Sequence, residues 1–261
     1  MNARPKKSFG QHFLADTRYI QRIVSAIAPR EGDCVVEIGP GEGALTLPLL
    51  GVARKLTAIE LDTDLIPGLQ ARAAAVGELS IVHADVLKVD FSALATKLGV
   101  PRIRIAGNLP YYISSPILFH CVEHAAAIED MHFMLQKEVV DRMAAEPGSK
   151  VYGRLSVMLQ LACEVVPLFD VPPGAFRPPP KVDSSVVRLR PLPAERRHDA
   201  EHARVEAIVK AAFAQRRKTL ANGLKQLLSA AQIEAAGVDP KARAETLAPA
   251  DFVALAKLPR D

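Results

Sequence analysis

Val35-Val36-Glu37-Ile38-Gly39-Pro40-Gly41-Glu42-Gly43 carries an apolar, β-branched segment straight into three glycines, and residues 44–50 after it have helical spacing. A strand, a glycine turn and a helix in that order open a parallel α/β sheet, with glycine letting the backbone come close to a ligand. Outward from this unit, residues 34–38, 55–61, 79–82, 103–106 and 131–135 read as buried strands, and longer helical patterns fall between them. Such alternation predicts a sheet covered on both faces, with right-handed crossovers bringing the strand carboxyl ends to one edge, where ligands bind.

Residues 164–171 and 184–189 form a further extended pair, separated by the proline-rich residues 171–181, an ordered loop over the sheet. The mixed charge and prolines of residues 191–202 mark a boundary. Beyond it, Val205, Ile208, Val209, Ala212 and Phe213 recur at helical spacing, and Leu220, Leu224, Leu227 and Leu228 continue the pattern. Two domains are expected: residues 1–192, a Rossmann-like α/β sheet, and residues 193–261, small and all-helical.

With 261 residues and 49% hydrophobic content the chain can bury a substantial core. A net charge of +4 is compatible with a polyanionic partner without establishing one. Cys34, Cys121 and Cys163 are widely spaced and odd in number, so neither a disulfide framework nor a zinc site is indicated, and no metal is expected. The basic N-terminus lacks an apolar signal region and no run approaches a membrane span, so the expected compartment is the cytoplasm.

The chemistry-bearing residues sit at successive strand ends. Gly39 and Gly41 form the turn after the first strand. Glu60, 21 positions after Gly39, closes the second and can accept hydrogen bonds from both hydroxyls of a ribose. Asp85 closes the third, where a carboxylate can take the amino group of an adenine. The fourth ends in Gly107-Asn108-Leu109-Pro110-Tyr111: an amide, a rigid backbone carbonyl and an aromatic ring. That trio suits an exocyclic amine on a flat base, since Asn108 and the Leu109 carbonyl each accept one N–H while Tyr111 stacks. The series suits S-adenosylmethionine, but the glycine turn also satisfies the looser dinucleotide pattern and leaves a nicotinamide cofactor open.

The chain resembles the ribosomal RNA adenine N6,N6-dimethyltransferase family, the KsgA and Dim-type enzymes, over nearly its whole length. The matching stretches are Lys7-Ser-Phe-Gly-Gln-His-Phe-Leu14, Val36-Glu-Ile-Gly-Pro-Gly41, Glu60-Leu-Asp62, Asn108-Leu-Pro-Tyr111, Phe133-Met-Leu-Gln-Lys-Glu138, Tyr152-Gly-Arg-Leu-Ser156, Pro178-Pro-Pro-Lys-Val-Asp-Ser184 and Phe213-Ala-Gln-Arg-Arg-Lys218. The resemblance implies S-adenosyl-L-methionine held by His12, Leu14, Gly39, Gly41, Glu60, Asp85 and Asn108. It implies catalysis at Asn108, Leu109, Pro110 and Tyr111, and a target adenine gripped by Tyr111 and Phe176. RNA phosphates would meet Arg216, Arg217 and Lys218 on a helix of the C-terminal domain, with Lys225 extending that patch and Arg142, Lys150 and Arg154 forming a second.

The implied activity is dimethylation of two adjacent adenosines near the 3′ end of small-subunit ribosomal RNA, in a pre-assembled 30S-type particle and by a monomer, with a role in subunit assembly. A relative that methylates a large-subunit adenine, and an assembly factor that mainly binds, are the competing expectations. One departure is visible: where many relatives have a second Asn after Asn-Leu-Pro-Tyr, this chain has Tyr112, either a second stacking face or an inward-packed ring.

Overall fold

The computed structural model describes residues 12–197, 200–215 and 217–259. Two compact units emerge: the chain up to Val140 with Val166–Pro191, and Asp141–Val165 with Leu192 onward. Residues 141–165 thus group with the C-terminal helices and not with the sheet, unlike the single division expected after residue 192. Long-range contacts join the segment to those helices: the fully buried Tyr152 ring packs edge-on against Phe213, and its hydroxyl donates to the Leu247 carbonyl at 2.9 Å, 95 residues away.

The first unit is built on strands β1 (Phe13–Leu14), β2 (Val35–Ile38), β3 (Lys55–Glu60), β4 (Glu78–His83), β5 (Ile103–Asn108), β6 (Ile128–Gln136), β7 (Cys163–Val171), β8 (Phe176–Arg177) and β9 (Ser184–Pro191). Seven of them form one sheet in the order β4-β3-β2-β5-β6-β9-β7, and β1 pairs with β8 separately. The pairs among β2 to β6 are parallel, whereas β9 returns antiparallel to β6. Helices α1 (Thr17–Ile27), α2 (Thr46–Ala53), α3 (Ile66–Ala73), α4 (Phe91–Lys97) and α5 (Ser114–Glu123) lie between the early strands.

The central strands are covered on both faces, so all four residues of β2 are buried, three of them apolar. On one face Val35, Leu56, Ala58, Ala106 and Met134 pack with Ile23, Ile27, Leu49 and Leu50 of the helices. Near the start of β5, Arg104 bridges Asp33 at 2.7 Å and Asp130 at 2.8 Å, and these paired charges hold its guanidinium firmly protonated. This arrangement ties β5 to β6 and to the segment before β2, at the end of the strand opposite Asn108.

The second unit contains the end of α6 (Lys137–Met143) together with α7 (Arg154–Ala162), α8 (His202–Phe213), α9 (Leu220–Gly223), α10 (Ala230–Ala235) and α11 (Pro249–Ala256). Its core gathers Val205, Ile208, Val209, Leu220, Leu224 and Phe252, all essentially inaccessible. The helical periodicity of the sequence holds for α8 but breaks at Ala214, and only one short turn of helix resumes at Leu220.

Candidate active site

The carboxyl ends of β2, β3 and β5, with the turn after β4, border one cleft of about 1190 Å³ measured out to its mouth. Its lining includes His12, Leu14, Gly39, Gly41, Glu60, Asp85, Asn108, Leu109, Pro110 and Tyr111.

The glycine turn is shaped by backbone conformation. Gly39 and Gly41 both have positive φ, 65° and 55°. A Cβ on Gly39 would project into open space, and one on Gly41 would come within 3.1 Å of the Phe13 ring. Gly39 is therefore an open cradle, and Gly41 is the point where β1 closes against the turn.

Glu60 is 7% exposed, and its two oxygens accept from the Gly41 amide at 3.3 Å and the Asp62 amide at 2.8 Å. Each carboxylate oxygen has a second lone pair, so the group is fixed in place with acceptor capacity remaining. Asp85 caps the short turn Val86–Lys88 through one oxygen, which accepts from Leu87 at 3.0 Å.

Asn108 closes β5. Its Nδ2 donates to the His12 carbonyl at 3.1 Å, so the donor half of the amide is engaged and Oδ1 is left as the acceptor. The Leu109 amide donates to the Met134 carbonyl at 3.1 Å, which fixes that peptide at the strand end. Tyr111 is half-buried, and its hydroxyl shares a 2.6 Å hydrogen bond with Ser184. Burial pushes the Tyr111 pKa up, and the Ser184 bond only partly offsets this. The His12 ring stacks on Tyr111 with centroids 5.9 Å apart and donates through Nδ1 to the Pro178 carbonyl at 2.9 Å.

Phe176 is 2% exposed and packs in the apolar core beside its β1 partner Leu14; it is not among the residues lining the cleft. The reading of Tyr112 as an inward-packed ring fails, since its side chain is exposed and lines the cleft.

Sequence reasoning missed Glu37. It lines the cleft, yet it is 2% exposed, and its Oε2 has no hydrogen-bond partner among the described residues. An acid in the middle of an otherwise apolar four-residue strand was the available signal. Burial, aided by the nearby Glu60 charge and opposed by the Thr46 hydroxyl, raises its pKa from 4.5 to about 7. The folded protein therefore holds this proton more tightly than the unfolded chain, so the associated stability is present below pH 4.5 and is lost as pH rises through 7. At ~1.4 kcal/mol per tenfold change in proton affinity, roughly 3 kcal/mol is withdrawn across that window. Glu37→Gln is expected to abolish this part of the pH dependence, and urea unfolding of both proteins at pH 5 and pH 8 measures it.

In the second unit Arg217 and Lys218 are exposed, but they lie in the connection between α8 and α9 and not on a helix as expected; Arg216 falls outside the described residues. Lys218 and Lys225 do share one hollow, with Gln215, Asn222 and Gln226 around them. Arg154 is held by Glu206 at 2.6 Å. Among the described residues no cluster of acids, histidines or cysteines could hold a metal ion, and no helix is long and apolar enough to cross a membrane.

A family model described as ribosomal RNA adenine dimethylase matches residues 2–261. The chain belongs to the ribosomal RNA adenine dimethylase family. A relative in Xanthomonas campestris pv. campestris, named ribosomal RNA small subunit methyltransferase A, is 62% identical over 98% of this chain and 97% of its own. Among solved structures, a dimethyladenosine transferase from Plasmodium falciparum superposes with a TM-score of 0.80 at 26% identity, covering 94% of this chain and 96% of that one. The 23S rRNA methyltransferase ErmE superposes at 0.73 with 29% identity, covering 93% and 97%. As a dimethylase of this family, the protein uses S-adenosylmethionine as methyl donor and ribosomal RNA adenine as acceptor. The dinucleotide alternative left open by the glycine turn is thereby removed.

The residues present fit that donor. A buried carboxylate with spare acceptor capacity at Glu60, the open backbone cradle at Gly39 and the orphaned Glu37 oxygen all border the one cleft.

Proposed function

We propose that this protein dimethylates N6 of two adjacent adenosines near the 3′ end of small-subunit ribosomal RNA, acting as a cytoplasmic monomer on a pre-assembled 30S-type particle and aiding its assembly. The observation that carries the chemistry is the meeting of Glu60, Asp85 and Asn108 in one cleft. The small-subunit target is favoured by the 62%-identical relatives, which bear that subunit in their name. When bound, S-adenosylmethionine supplies an electrophilic methyl group.

The chain's own groups hold the donor and prepare the acceptor. Glu60 accepts from the ribose hydroxyls, Asp85 from the adenine amino group, and Gly39 and Gly41 admit the ligand to the backbone, with His12 and Leu14 closing the near side. At the other end, Asn108 Oδ1 and the Leu109 carbonyl accept the two N6 hydrogens of the target adenine. That favours a pyramidal nitrogen whose lone pair is no longer spread into the ring. Pro110 stiffens the turn and Tyr111 offers its ring to a base flipped out of its stack. No general base need act first, because the proton leaves after transfer, when the nitrogen is cationic and strongly acidic. For the second methyl group one hydrogen and one acceptor suffice. Residues 193–261, through Arg216, Arg217, Lys218 and Lys225, meet RNA phosphates.

Mass spectrometry of small-subunit RNA nucleosides from cells with and without the gene tests the assignment, and dimethyladenosine is expected to vanish without it. Unchanged dimethyladenosine would overturn it. Methylation of large-subunit RNA in place of isolated small-subunit particles would instead support the alternative target.

A further inference from the structure

We propose that Tyr112 is a base-stacking platform at the cleft mouth, taking the nucleotide beside the target adenine once that adenine has left the RNA stack. This rests on the reading of the cleft as the seat of a flipped adenine. Tyr112 is 59% exposed, the largest value among the exposed large hydrophobic side chains of the described residues. It lines the same cleft as Asn108 and Tyr111.

Local geometry makes the two tyrosines unequal. They occupy consecutive positions of a 3₁₀ turn, Tyr111–Ile113. At three residues per turn, successive side chains diverge by about 120°, so both rings cannot cover the same base. Tyr111 is braced inside by Ser184 and His12, whereas Tyr112 stands out at the lip. Phe176, the other aromatic expected to touch RNA, is committed to the core.

The substrate chemistry supplies the need. When one of two adjacent adenines flips, its neighbour loses a stacking partner, and that loss is part of the cost of flipping. An exposed aromatic face at the point where the strand enters the cleft replaces the lost contact, and it does so for either adenine because every base presents a π-face.

The test compares wild type, Tyr112→Ala and Tyr112→Phe on small-subunit particles and on a short single-stranded RNA carrying 2-aminopurine beside the target adenine. Tyr112→Ala is expected to raise KM for RNA by about 5- to 150-fold, the range for losing one base–aromatic stack. It should change kcat little, leave donor affinity by calorimetry unaltered, and restore 2-aminopurine fluorescence that the wild type quenches. Tyr112→Phe should behave as wild type. An unchanged KM and quenching in Tyr112→Ala, a loss in Tyr112→Phe equal to that in Tyr112→Ala, or a parallel fall in donor affinity would each overturn the stacking role. A wild type that methylates neither RNA would instead sink the flipped-adenine reading on which this role depends.

Discussion

Asn108→Ala is expected to lower single-turnover methyl transfer by about 10²- to 10³-fold, the cost of deleting one preorganised hydrogen-bonding group that acts on the reacting centre. The loss should fall on the chemical step, since the amide oxygen accepts from the amine most strongly as the nitrogen becomes pyramidal and cationic. A second consequence is local. The Asn108 Nδ2 bond to the His12 carbonyl disappears, so the closing N-terminal segment loses one tether. A neutral hydrogen bond of this kind contributes only ~0.5–1.5 kcal/mol, too little to unfold the domain. Single-turnover assays with saturating RNA, alongside a urea denaturation curve, separate the two effects. The same variant divides enzyme from assembly factor: if it loses methylation yet still corrects an assembly defect, binding is an independent role, whereas joint loss counts against one.

Legibility in the sequence followed the range of the forces involved. The parallel strands were readable because a strand buried on both faces must be continuously apolar, as Val35–Ile38 and Ile103–Asn108 nearly are. The strand-end residues were readable because topology brings carboxyl ends together whatever the side-chain detail. What escaped depended on contacts between distant segments. The burial of Phe176 goes with a two-residue pairing to Phe13–Leu14, too short to leave a periodic signal. The grouping of residues 141–165 with the C-terminal helices rests on bonds such as Tyr152 to Leu247, which no local pattern encodes. Glu37 escaped for another reason: one acid within an apolar strand carries no period of its own, and its burial and orphaned oxygen are what go with a raised pKa. Tyr112 shows the limit from the opposite side, since the letter was visible but the divergence of a 3₁₀ turn decided where the ring went.

Gly107→Ala should be nearly as damaging as loss of Asn108, although the methyl group it adds touches no ligand. A Cβ at Gly107 would lie 2.5 Å from the Ile38 carbonyl oxygen, a backbone atom, and 3.3 Å from Leu109 Cδ2. Real Cβ contacts essentially never fall under 3.0 Å, so β5 and β2 must part by about 0.5 Å or more. The leucine can rotate aside, but the carbonyl cannot, because Ile38 is paired with Ile59 in the sheet and runs directly into the Gly39 turn. The forced separation therefore falls between the two features that must stay in register, the turn that admits the donor and the Asn108 that holds the acceptor amine. Misplacement on the order of 1 Å costs about 10²-fold in rate where reacting groups depend on alignment. Overpacking of this kind also costs roughly 1–3 kcal/mol of stability. The expected result is a folded protein with a lowered denaturation midpoint whose single-turnover rate stays about 10²-fold down at saturating donor and RNA. A wild-type rate in folded Gly107→Ala would mean that the spacing between β2 and β5 does not control the reaction, and that Asn108 can be positioned without the close approach only glycine permits.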